Sequence, residues 1–162
     1  MRYSNKTRQK LRCTKVLTML LMVTSLSNAA LADSKDVVVE GAWSRASISV
    51  NRPSTAYMTV RNTGEDPVTL TSLETPLAMK STIHKTQIDV NGVISMRPSG
   101  EILIASGQSV TLKPGGLHVM LMKLQKPMKQ GDAFSLTLNF LDGGQVTVDI
   151  PILSIAARGP ES

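Results

Sequence analysis

The segment KPGGLHVMLMKL, residues 113–124, sets His118, Met120 and Met122 at alternate positions. In an extended chain, residues i and i+2 point to the same side, roughly 6.5–7 Å apart. An imidazole and a flexible thioether at that spacing can lean onto one soft metal ion together. The only other histidine is His84, and Met96 follows it across an Asn91-Gly92 pair. His84, Met96, His118 and Met120 thus offer two imidazoles and two thioethers. That donor set selects Cu(I). Zinc would call for thiolate, more imidazole or carboxylate, and calcium or magnesium for clustered oxygens.

A plainer reading stands beside it. His-x-Met is a short match, and methionines on one strand face are often core filler. In that reading the chain is a metal-free, secreted β-sandwich interaction module. Its two histidines would then stand more than about 10 Å apart, beyond the reach of two side chains and a metal. Among the other methionines, Met122 continues the His118–Met120 face, where core packing is expected and a spare ligand is the alternative, and Met79 is expected to shield the site as an apolar rim. Met58 is expected inside and Met128 on the surface. Trp43 is expected in the core, and Arg97 as a solvated charge, with contact to an acidic partner as the alternative.

The elements that must position these residues read as β throughout. The segment 36–44 reads as a first strand, the segments 55–62, 68–74, 134–140 and 145–152 alternate apolar and polar residues, and Gly, Pro, Asn and Asp punctuate the chain between them. Ala56, Met58 and Val60 fall on one face, as do Phe134, Leu136, Leu138 and Phe140. Period-two alternation with regular turn signals predicts an all-β protein, an antiparallel sandwich or barrel. The middle, 81–116, predicts shorter strands. Asn-Gly is a strong two-residue hairpin signal, and it would fold Met96 back toward the strand of His84.

The N-terminus alters the charge balance. Residues 1–15 carry Arg2, Lys6, Arg8, Lys10, Arg12 and Lys15 and no acid. An apolar run, 16–26, and the small residues Ala30 and Ala32 follow. This is the pattern of a cleaved secretory signal peptide, with an apolar run short of the ~20 residues that span a bilayer. Cleavage after Ala32 leaves as many basic residues as the 12 acids, so the formal charge of +6 belongs to the leader and points to no nucleic acid. It also removes Cys13, the one cysteine, which lies before the apolar run rather than after it as a lipoprotein cysteine would. Without a thiolate, a blue-copper electron carrier is excluded. The reading is one domain over 33–152 and a flexible tail over 153–162. No nucleophile elbow or cysteine nucleophile is present, and nothing else marks an enzyme.

With these residues placed, the chain resembles the periplasmic copper chaperones of the PCu(A)C type. That family is marked by a His, a Met after a hairpin, 21 intervening residues and His-x-Met. Here His84 and Met96 are followed by the 21 residues 97–117 and then His118-Val119-Met120. GAWSRAS with Trp43, NGVISMRPSG and LKPGGLHVMLMKLQKPMKQGD also resemble family text. The resemblance implies a cupredoxin-like β-sandwich that binds one Cu(I) through His84, Met96, His118 and Met120. It implies a periplasmic protein that passes copper to the Cu(A) site of cytochrome c oxidase subunit II, beside a Sco-type protein; a monomer is the simpler expectation for a transfer protein that must expose its site. Many members carry a further Met just after the first His, where this chain has Lys85 and Thr86. The tail lacks the His and Met of members with a second copper site, so none is expected. Periplasmic copper storage or detoxification is the alternative that keeps the metal.

Overall fold

The computed structural model describes residues 34–160. The leader reading lies outside the described residues. A 3-10 turn, Ser34–Asp36, precedes ten strands: β1 (Val37–Arg45), β2 (Ser54–Asn62), β3 (Val68–Glu74), β4 (Ala78–Ile88), β5 (Ile94–Pro98), β6 (Ile102–Ile104), β7 (Ser109–Leu112), β8 (Leu117–Leu124), β9 (Ala133–Phe140) and β10 (Gln145–Leu153).

Seven of them close a barrel in the order β4-β8-β2-β1-β10-β9-β3, and β3 returns to β4 through Leu73 opposite Ser81. The fold is all-β, as the alternation predicts. One pair, β1 with β10, is parallel rather than antiparallel. These are the first and last strands, so no hairpin dictates their direction. Alternation sets the core: Ala56, Met58, Val60, Leu121, Val119, Leu136, Leu138 and Ile150 point inward and are buried. Met58 is inside as expected.

Two expectations change. Met128 is 1% exposed, although charged residues flank it in sequence. Its backbone exchanges two 2.9 Å hydrogen bonds with Ser47, which pulls this loop onto the barrel. Trp43 is buried in the core as expected, in a second cluster with Tyr57 and Ala157. The segment after residue 152 is not free as far as Ala157: Leu153 ends β10, the Arg45 Nε–H donates to the Ala157 carbonyl at 2.8 Å, and Ala157 covers Trp43.

The Asn91-Gly92 turn does fold Met96 back, opposite Thr86. It is a longer turn than the two-residue form. The last strand pair is Ile88 with Ile94, and the loop between is closed by the Gly92 and Val93 amides. Asp89 Oδ1 accepts the amides of Asn91 and Val93, and Gly92 takes φ of +79°, a conformation that glycine adopts without cost.

Candidate metal centre

β4 and β8 run antiparallel, with His84 directly opposite His118 and Thr82 opposite Met120. On the other edge of β4, Thr86 faces Met96 of β5. Cross-strand partners share a face, and so do residues two apart on one strand. His84, Met96, His118 and Met120 therefore lie on one face. It is the face away from the core, because their neighbours Ile83 and Val119 are the ones buried in it. His84 is the hub, with His118 straight across, Met120 on one diagonal and Met96 on the other. Such diagonals span ~7–8 Å, which a methionine side chain can close.

The imidazole rings are tilted by 40° with centroids 6.2 Å apart. That lies well inside the separation at which the metal-free reading would have been favoured. The His118 Nδ1–H donates to the Gly116 carbonyl at 3.1 Å. Its Nε2 is then the lone-pair nitrogen, and it is buried with no hydrogen-bond partner. His84 Nε2 lies 3.0 Å from Thr82 Oγ1, and its Nδ1 is likewise buried without a partner. A buried polar atom left unpaired costs stability, so one on each of two facing histidine rings requires an explanation. Two metal-ligating nitrogens supply one. Holding the outer ring nitrogen by a hydrogen bond is the usual way a protein aims an imidazole at a metal.

Burial, the positive field of His118 and that of Lys80 all lower the pKa of His84. These effects favour the neutral ring, the form that ligation needs. Among the described residues no three His, Cys, Asp or Glu side chains gather, so the thioethers must complete any such site. Met120 is half-buried and Met96 is 51% exposed, at the outer edge of the set.

The remaining candidates divide. Met122 continues the face of Met120, opposite Lys80, and is half-buried. It belongs to neither core cluster, so the expectation of core packing gives way to a place on the outer face. Met79 does not ring the site. It is 71% exposed, out of phase with His84 along β4, and lines a separate hollow with Glu74 and Pro76. Arg97 is exposed on β5. Sequence reasoning missed Thr82 and the Gly116 carbonyl. Each lies two residues from a histidine, so the alternation that linked His118 to Met120 could have found them.

A β-barrel with imidazoles and thioethers converging on its outer face is the class defined by this fold and site. The profile of the LpqE-like family, described as "Putative lipoprotein LpqE-like", matches residues 37–152, and the chain belongs to that family. A protein of Leifsonia xyli subsp. xyli named "Putative lipoprotein Lxx21020" is 32% identical over 155 residues, 91% of this chain and 92% of its own. The uncharacterized protein RP573 of Rickettsia prowazekii is 27% identical over 93% of this chain and 84% of its own. Among solved structures, the apo PCuAC domain of PmoF2 superposes with a TM-score of 0.61 at 26% identity, covering 76% of this chain and 94% of that one. The Cu(I) form of DR1885 from Deinococcus radiodurans superposes at 0.55 with 32% identity, covering 77% and 85%. The resemblance to the PCu(A)C type read from the motif spacing therefore extends to three dimensions.

Proposed function

We propose that the protein is an exported copper carrier that holds one Cu(I) on the outer face of β4, β5 and β8. The observation that carries this is the facing pair His84 and His118, each with one buried, unpartnered ring nitrogen. Soft thioethers at Met96 and Met120 complete a set that selects Cu(I) and resists loss to disulfides in an oxidising compartment. The likeness to a Cu(I)-bound structure at 32% identity supports the same reading.

Four neutral donors leave the bound ion with its single positive charge. An acceptor with anionic sulfur would therefore draw the copper off. Met96, the most exposed donor, is the one to leave first, and an incoming ligand takes its place. We assign the acceptor as the Cu(A) site of cytochrome c oxidase subunit II, with a Sco-type thiol protein beside it. The compartment is the periplasm, reached through the leader at residues 1–32. The lipoprotein name of the relatives does not transfer by its chemistry, because Cys13 precedes the apolar run. The carrier acts as a monomer and catalyses no reaction.

The test is a Cu(I) competition titration on the protein from Asp33 onward, beside the His118→Ala/Met120→Ala variant. One tight equivalent, lost in the variant, is expected. Equal binding by both would overturn the site.

A further inference from the structure

The β4–β5 hairpin extends from the barrel, and its outer strand is bordered by β4 alone. All five β5 residues are exposed. The free edge therefore offers unpaired backbone N–H and C=O groups, an arrangement that proteins normally blunt because it invites another strand.

The two faces of this hairpin differ. On the face shared with His84 lie the pairs Thr86–Met96 and Ile88–Ile94. Ile88, Ile94 and Met96 are each more than half exposed, and the apolar patch they form is continuous with the donor set. On the reverse face Lys85 stands directly opposite Arg97. Like charges in that position destabilise a sheet, and no acidic side chain among the described residues pairs with either. Asp89 lines the same hollow, where its Oδ1 accepts the Asn91 and Val93 amides, and it forms no ion pair with Lys85 or Arg97. Exposed apolar groups, a free strand edge and an uncompensated cationic pair all meet at the ligand that is most open to solvent.

We infer that the free edge of β5 docks an extended, acidic segment of the partner that receives the copper. Added as a further strand, this segment places apolar side chains over Ile94 and Met96 and acidic ones toward Arg97 and Lys85. The residue opposite Met96 then lies with its Cβ about 4.5–5.5 Å away, close enough to share the ion. A second copy of this chain is the poorer occupant, since it would bring more Lys85 and Arg97 charge to the same edge. The identity of the partner rests on the carrier reading; the chemistry of the edge does not.

The test uses the 15N-labelled protein and the capped peptide Glu-Val-Glu-Met-Glu-Val-Glu, with Cu(I) affinity measured in parallel. Saturable amide shifts confined to β5 and the facing part of β4 are expected. They should weaken at least ~10-fold in Lys85→Glu/Arg97→Glu, and also fall with salt. The single variant Arg97→Ala guards against a folding defect in the double one and should weaken the same shifts. A peptide with Lys in place of Glu should not bind. No binding, binding that survives both variants, shifts elsewhere on the barrel, or β5 shifts that follow protein concentration alone would each overturn the proposal. Lys85 and Arg97 face away from the donors, so Cu(I) affinity should stay within ~3-fold. Its loss in the unmodified protein would count against the carrier reading alone.

Discussion

Thr82 Oγ1 lies 3.0 Å from His84 Nε2, which leaves Nδ1 as the buried ring nitrogen without a hydrogen-bond partner. In the tautomer whose Nε2–H donates to the hydroxyl, Nδ1 carries the lone pair. Thr82→Val keeps the shape of the side chain and removes the acceptor. Cu(I) affinity should fall about 10-fold, the usual scale for losing such an orienting partner. The thermal midpoint of the apo protein should barely move. A competition titration and a melting curve on one preparation check both.

The lowered pKa of His84 has a defined sign in pH. In the unfolded chain the ring takes a proton near 6.5; in the fold, burial, His118 and Lys80 oppose that proton. Between the lowered value and 6.5 the unfolded state binds more protons, so stability rises with pH across that window. The contribution is complete above 6.5 and is lost as pH falls through the folded value. Following the His84 ring signal by NMR should show a midpoint below 6.5, shifted upward in Lys80→Gln. A midpoint at or above 6.5 would contradict the environment described.

The two thioethers should not be equivalent. Met120 is half-buried and held between Thr82 and Thr55, whereas Met96 is 51% exposed on an edge strand. Met96→Leu should weaken Cu(I) binding less than Met120→Leu and should speed copper loss to a chelator. Sulfur counts from X-ray absorption should fall by one in either variant. An unchanged count in both would remove the thioethers from the site.

Leu121 sits between Met120 and Met122 on β8, but it points inward and is fully buried. Leu121→Ala should cost about 2–5 kcal/mol of stability through the cavity it leaves. Cu(I) affinity of the folded fraction should be nearly unchanged, since the donors lie on the opposite face. Urea unfolding followed by Trp43 emission measures the first, and titration at low temperature the second.

Trp43 should report on the end of the chain. It stacks on Tyr57 with ring centroids 4.6 Å apart, and Arg45 and Ala157 lie against the pair. Ending the chain at Leu153 removes Ala157 and the acceptor of Arg45. A red shift of Trp43 emission and a loss of about 1–2 kcal/mol are expected. An unchanged emission maximum would mean that the tail does not cover the ring.

Much of this was legible in one dimension because strands repeat every two residues. The alternation in 55–62 and 134–140 placed Met58 and Leu136 inside without error. It also put His118 and Met120 on one face, and the turn after Ile88 brought Met96 back to β4. What period two cannot show is which strands become neighbours. The pairing of His84 with His118 comes from the order of the closed barrel, and no local signal announces it. Met128 misleads for a related reason: its neighbours in sequence are charged, while its neighbours in space are apolar. Met122 shows the limit of the other half of the rule, since alternation gives a face but not whether that face meets core or water.

Between Met96 and His118 the chain does not wait beside the site. It pairs β6 with β3 and β7 with β2, and buries Ile104 and Leu112 in the main core. The interval that reads as a spacer is mostly exposed, but it drives two side chains, Ile104 and Leu112, into the core between Met96 and His118. Assembly of the core therefore sets the distance between Met96 and His118 before any ion arrives. On the carrier reading, copper would meet a gap already set by the core and would not fold the protein around itself. A lineage that lengthened or shortened this interval would have to re-cut the interior of the barrel, and for that reason length variation should collect instead in the turns on either side of β9.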